Sequence, residues 1–337
     1  MKRSILLKVV FLFCSITFFG QDYHFSQFNA MPFWLNPAIV SQGSDVDAGL
    51  IYRTQYTGIN NPYNTYGAFA SAALMKRRDR NSYLGIGVGF IQDDNKNIQY
   101  KSTLAALTLA YHLRLNRTNS ISVGLQPFFF QNSVNYGGLK WGSQYDGTNY
   151  NPSLPTGAPT NYSQLSKIDG SIGFNYQYAK GTHNSIVDGE SRFQVGFSMY
   201  HMPGVHYSLY DSQEKVYSRF CLNASYTYKK ENSRVGYNPL LMVQLQGPAK
   251  EIVFGGNIFY IIQDASTQTG IVKGASLGGG LLYRVGDAVI ITGMLSYNSL
   301  TFGLAYDINA STLTTSTKTF GAFELSVRYR LNKGHWH

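Results

Sequence analysis

Phe323-Glu324-Leu325-Ser326-Val327-Arg328-Tyr329-Arg330-Leu331, close to the end of the chain, decides the fold. Odd positions are apolar or aromatic, and even positions are polar or charged. A strand sends successive side chains to opposite faces, so this segment has one apolar face and one carrying Glu324, Arg328 and Arg330. Such a strand either covers a soluble core with its apolar face or turns that face to lipid in a closed membrane barrel.

The bulk composition separates these two readings. Charged residues make up 14% of the 337-residue chain, against roughly 25% in an average soluble domain. Aromatics reach 15%, with 26 Tyr and 21 Phe, and there are 34 Gly. Mean hydropathy is slightly below zero, too polar for a bundle of membrane helices. Past Phe19 no run approaches the about 18 apolar residues of a spanning helix. Few charges, many aromatics and near-neutral hydropathy suit a barrel whose strands face lipid on one side and water on the other. The net charge of +10 raises the question of nucleic acid. No basic block interleaves with aromatics, though, and the densest, Lys76-Arg77-Arg78-Asp79-Arg80, reads as a turn, so no nucleic-acid partner is expected.

Residues 1–20 read as a signal peptide, with Lys2 and Arg3 before an apolar stretch from Ile5 to Phe19 and cleavage near Gly20/Gln21. Cys14 lies in that stretch, without the small residue that precedes a lipoprotein cysteine. The mature chain then holds Cys221 alone and no intramolecular disulfide.

Period-2 segments of about ten residues recur from Val46 to Leu331. They number about fourteen, an even count that suits a single-chain barrel with both ends in the periplasm. In Tyr83–Gln92, Leu84, Ile86, Val88 and Phe90 fall outside, and Gly85, Gly87 and Gly89 inside. That glycine spacing belongs to a strand rather than a nucleotide loop, and it predicts a roomy interior. The barrel is expected over 45–331. A long loop spans 131–166, on the extracellular side, and a short tail covers 332–337. Substitution of Val327 by Arg should cost about 2–4 kcal/mol near the membrane midplane, and Ser326→Arg much less.

Catalytic, cofactor and metal sites are not expected. His201 and His206 lack a carboxylate or cysteine set, and no nucleophile-elbow motif is read for a barrel hydrolase. His112 and Cys221 are expected to face inward as lumen filling. Two irregular aromatic segments remain. The loop carries Trp141, Tyr145, Tyr150 and Tyr162, candidate anchors for a protein partner because aromatic side chains bind at modest entropic cost. The segment 21–44, before the first strand, is aromatic without a period. It either buries its aromatics in the glycine-lined lumen or lies across the periplasmic base.

Gln21-Asp22-Tyr23-His24-Phe25-Ser26-Gln27-Phe28 and Leu35-Asn36-Pro37-Ala38 resemble the mature N-terminus of the PorP/SprF family of type IX secretion membrane proteins. Tyr52-Arg53-Thr54-Gln55-Tyr56, Leu109-Ala110-Tyr111-His112-Leu113-Arg114-Leu115 and Leu282–Val289 resemble later strands of that family. So does Phe302–Asp307, leading to the closing strand. The resemblance implies a non-enzymatic outer-membrane component of the Bacteroidetes secretion and gliding machinery. Its partners would be the C-terminal domain of a secreted adhesin, periplasmic ring components and outer-membrane lipid. Asn36-Pro37-Ala38 also resembles the plug of fatty-acid-channel barrels, which implies the alternative of an uptake channel for hydrophobic small molecules.

Overall fold

The computed structural model describes residues 22–55, 62–76, 81–157, 163–181, 189–202, 216–264, 273–311 and 320–332. The signal segment with its cleavage point, Tyr162, His206 and residues 333–337 lie outside the described residues. The strands are β1 (Val46–Gln55), β2 (Tyr63–Leu74), β3 (Ser82–Asn95), β4 (Tyr100–Arg114), β5 (Asn119–Val134), β6 (Gln164–Gly181) and β7 (Glu190–Tyr200). They continue as β8 (Arg219–Lys229), β9 (Val235–Gln246), β10 (Ala249–Gln263), β11 (Ala275–Arg284), β12 (Ala288–Tyr297), β13 (Leu300–Asn309) and β14 (Phe320–Leu331). Each pairs antiparallel with its sequence neighbour, and β14 returns to β1 with Val46 opposite Leu331 to close the ring. All fourteen strands match the period-2 segments. Closure matters because an unpaired strand edge in lipid would leave its N–H and C=O groups without partners.

The facing follows the alternation. Phe323, Leu325, Val327 and Tyr329 are each about 40% exposed on the outer surface, whereas Glu324 is fully buried. Leu84, Val88 and Phe90 are likewise exposed, and Gly85, Gly87 and Gly89 are buried. His112 and Cys221 face inward, at 3% and 0% exposure. The wall is uneven: β6 has 18 residues, and β11, β12 and β13 have 10 each.

One boundary differs. The long loop is shorter than 131–166, because Gln131, Asn132 and Ser133 still pair with Ser166, Leu165 and Gln164. Ladder hydrogen bonds need no apolar face, so polar strand ends continue past the alternation. The connection is 135–163.

The interior is filled by the N-terminal segment together with inward-facing wall side chains. Residues 22–45 thread the bore and then enter β1. Phe25, Met31, Phe33, Trp34 and Val40 join wall residues such as Phe69, Ile91, Leu104 and Phe128 in one apolar cluster. Phe28 and Leu35 join Leu240, Met242, Val253 and Leu282 in a second. A single helical turn, α1 (Pro32–Leu35), and short 3-10 turns on either side fold the segment into the lumen. Of the two sequence-level placements, the lumen holds, because only there do its aromatics leave water.

Candidate functional site

The plug is held at three places, built from elements far apart in sequence. The first is a charged lattice near the ends of β1, β11 and β13 and the start of β14, toward the mouth opposite the start of β1 and the end of β14. Ser26 donates its N–H to Glu324 at 2.6 Å and its hydroxyl to Asp307 at 2.7 Å. Gln27 donates its N–H to the second Glu324 oxygen at 2.8 Å. Arg53 and Arg284 each donate to the Ser26 hydroxyl at 2.8 Å. The same guanidiniums pair with the carboxylates, Arg53 with Glu324 at 2.5 Å and Arg284 with Asp307 at 3.1 Å. Alternating charges around one hydroxyl make such a buried cluster tolerable. His24 lies 3.2 Å from Arg53. A guanidinium only donates, so His24 Nε2 accepts and the ring is neutral there. Burial, with Arg284 and Arg53 nearby, holds the His24 pKa well below the ordinary value.

The second holding point lies farther toward the same mouth. Asp22 accepts from His201 at 2.9 Å, and Asp169 accepts from the other His201 nitrogen at 2.8 Å. Arg219 approaches Asp22 at 3.3 Å. Its guanidinium carbon lies 3.8 and 4.1 Å from the ring centroids of Trp34 and Tyr200, within cation–π range of both. Burial disfavours the His201 charge, but Asp22 and Asp169 outweigh it and raise the pKa to about 9. Burial likewise opposes the Asp22 charge, and His201 and Arg219 overcome it, leaving that carboxyl well below the usual range.

The third is Asn36-Pro37-Ala38. Asn36 Oδ1 caps the turn by accepting from the Ala38 N–H at 2.9 Å, and its Nδ2 donates to the Phe174 carbonyl at 3.0 Å. A side chain at Gly124 would overlap the backbone of Pro37 and Ala38, and one at Gly173 would overlap Asn36. These two glycines are there for close approach. Wall side chains satisfy successive plug carbonyls: Tyr200 donates to Phe33, Ser198 to Leu35, Ser122 to Ala38 and His112 to Val40. Because a carbonyl only accepts, His112 carries its proton on Nε2.

The loop anchors sit elsewhere. Tyr145 and Tyr150 are 58% and 39% exposed and form a bridge with each other. Trp141 packs against Tyr136 at 6.2 Å between ring centroids, and Lys140 sits over the Tyr150 ring. Gln144 is the loop's own small core: it donates to the Pro152 and Leu154 carbonyls and accepts from the Tyr150 hydroxyl. Trp141, Tyr145 and Tyr150 are thus gathered in one ordered loop.

Sequence reasoning named Asn36, Pro37 and Ala38 but missed the wall residues that receive them. Arg53, Arg284 and Asp307 were legible only as charges on inward faces near one end of their strands. Two readings change. The letters Gly274-Ala275-Ser276-Leu277-Gly278 do fit the G-x-S-x-G pattern. Ser276 lies within β11, paired with Ile261 and Ser296, and not on the strand-to-helix turn that exposes a nucleophile. Ser326 is also no empty lumen position: its hydroxyl donates to the Gln27 side chain at 2.8 Å. Ser326→Arg would therefore strike the plug and is no mild control.

No curated protein matches the chain. Solved structures with a similar fold include the toluene transporter TbuX of Ralstonia pickettii, at 10% identity and a TM-score of 0.48, covering 89% of this chain and 93% of that one. The monoaromatic hydrocarbon channel CymD matches at 12% identity, a TM-score of 0.46, and 90% and 93% coverage. A Pseudomonas aeruginosa FadL homologue matches at 10% identity, a TM-score of 0.44, and 88% and 93% coverage. The family described as type IX secretion system membrane protein PorP/SprF matches residues 17–329. With nearly the whole chain matched, this plugged fourteen-stranded barrel belongs to the PorP/SprF family of type IX secretion membrane proteins.

Proposed function

We propose that the protein is a non-enzymatic outer-membrane component of the type IX machinery that binds a secreted adhesin-type protein and helps export it or hold it at the surface. The mouth bearing the 135–163 loop faces outward, and the mouth at the start of β1 and the end of β14 faces the periplasm, where ring components dock. The cargo's C-terminal domain seats on the loop, with Trp141, Tyr145 and Tyr150 as anchors and Tyr162 as a further contact. The observation that carries this reading is the loop itself. Its exposed aromatics are pre-ordered around Gln144 and capped by Asp146, which accepts from the Thr148 and Asn149 N–H groups at 2.9 and 2.8 Å. Ordering before contact lowers the entropic cost of docking. The uptake-channel reading is not favoured: a secretion family claims the chain, and the bore is occupied by a plug bonded to both sides of the wall.

Deletion of Gly142–Tyr162 should abolish surface display of one large secreted protein while the barrel still assembles. Unchanged display in a folded deletion mutant would refute the assignment. Co-purification from membranes would identify the partner.

A further inference from the structure

A cavity of about 180 Å³ lies between the plug and the wall at the mouth where β1 starts and β14 ends. Its plug side is Asn29, Pro32, Ile39 and Gln42. One wall comes from the ends of β6, β7 and β8, with Gln177, Arg192, Gln194 and Thr227. The opposite wall comes from β14, with Arg328 and Arg330. These strands lie half a circumference apart in the ring, so the cavity crosses the bore.

The three guanidiniums are not equally engaged. Arg328 donates to both Asp47 oxygens at 2.8 and 2.6 Å and to the Asn29 carbonyl at 2.8 Å. That arginine is neutralised and fixed. Arg330 reaches Asp47 only at 4.0 Å, and its side chain is 49% exposed. Arg192 approaches Glu190 at 3.5 Å, beyond good hydrogen-bond geometry, and its Nε is buried with no hydrogen-bond partner among the described residues. Arg192, Arg328 and Arg330 line the same space. Two cations with spare donors therefore converge on a space whose remaining lining is mostly amide and hydroxyl. An anion between them relieves the repulsion and satisfies the donors, and guanidinium forks match the planar oxygens of carboxylate or the oxygens of phosphate.

We propose that this cavity is an oxyanion-binding site that takes a carboxylate or phosphate group between Arg192 and Arg330. Its size admits the charged end of a molecule, while Gln177, Gln194 and Asn223 are placed to bond the polar atoms beside that charge. The site is separate from the 135–163 loop, at the other mouth, and stands whether or not the loop binds cargo.

The test uses the full-length barrel in detergent, with binding followed by calorimetry. The probes are inorganic phosphate and N-acetyl-triserine as the free acid and as the amide. At least one anionic probe should bind saturably and more weakly as salt rises, and the amide should not bind. Binding of phosphate alone identifies a phosphate source, and binding of the free acid alone identifies a carboxylate terminus. Arg192→Gln should weaken the bound probe at least tenfold, as should Arg330→Gln. Arg192 is away from the closing strand, so its variant keeps the test decisive if Arg330→Gln does not assemble, as judged by heat-modifiable gel mobility. Absence of binding by both anionic probes, equal binding of acid and amide, or unchanged affinity in a folded Arg192→Gln barrel would overturn the proposal.

Discussion

Two segments of this chain look alike as sequence and end in opposite places. Residues 22–44 and the 135–163 connection are both aromatic, irregular and without apolar period. In the first, Phe25, Phe28, Phe33 and Trp34 are each at most 6% exposed. In the second, Tyr145 and Tyr150 remain in solvent. The difference lies in where each finds hydrogen-bond partners. The plug's polar groups go to the wall, as with Ser26 to Glu324 across 298 residues of sequence. The loop's polar groups go to the loop, as with Gln144 to Leu154. An irregular segment is buried only where a surrounding structure satisfies its backbone, and otherwise it must satisfy itself at the surface.

The sharpest way to break this contrast is to remove the plug's main acceptor. Glu324→Ala leaves Arg53 buried without its closest partner and orphans two plug N–H groups. A loss of about 3–5 kcal/mol is expected, read as proteolytic exposure of residues 22–44 in the assembled barrel. Protection equal to the parent protein would show that the lattice does not hold the plug. The wall that carries both segments is tested next. Val327→Arg places a charge on the lipid face and should cost about 2–4 kcal/mol near the midplane. Ser326→Ala, which loses one bond to Gln27, should cost about 0.5–1.5 kcal/mol. Equal folding yields in lipid vesicles would mean the facing is wrong.

Steric entry to the plug seat is a subtler probe. Gly173→Val sets a side chain against Asn36 and should cost about 1–3 kcal/mol by overpacking, with amide exchange rising at Ala38 while loop amides keep their protection. Exchange that rises equally in both segments would erase the distinction.

The pH response should also be confined to the plug. The His201 pKa is raised from 6.5 to about 9, so its contribution is fully present below 6.5 and is lost as pH rises through 9. Asp22 shifts the other way, so its contribution is present above 3.8 and lost only in strong acid. Trp34 fluorescence should therefore report loosening between pH 7 and 10, and His201→Gln should abolish that transition. A transition that survives the substitution would assign it to another group. Smallest of all for stability is the loop: joint replacement of Trp141, Tyr145 and Tyr150 by Ala should leave barrel unfolding unchanged within about 0.5 kcal/mol, as for surface sites. Cargo capture should nevertheless be lost.

Much of the wall was legible because strand facing is a local property. Phe323, Leu325, Val327 and Tyr329 alternate with Glu324, Ser326 and Arg328 whatever the rest of the chain does, and the number and facing of the strands follow from that alternation. The glycines of β3 announced room inside, and the plug aromatics announced a need for burial. Neither told which wall positions would receive Ser26 or Asn36. Arg53, Arg284, Asp307 and Glu324 come from four strands, and Tyr200, Ser198, Ser122 and His112 from three. None is distinguished along the chain from other polar lumen residues.

By itself the sequence determined a closed lipid-facing barrel, because period-2 alternation is written residue by residue and closure removes the edges lipid would not tolerate. Only the tertiary structure decided that residues 22–45 run through the bore and that Arg192 and Arg330, from strands half a ring apart, line one cavity. Those outcomes depend on distances between strands half a ring apart, set by strand number and register together and carried by no local stretch of sequence.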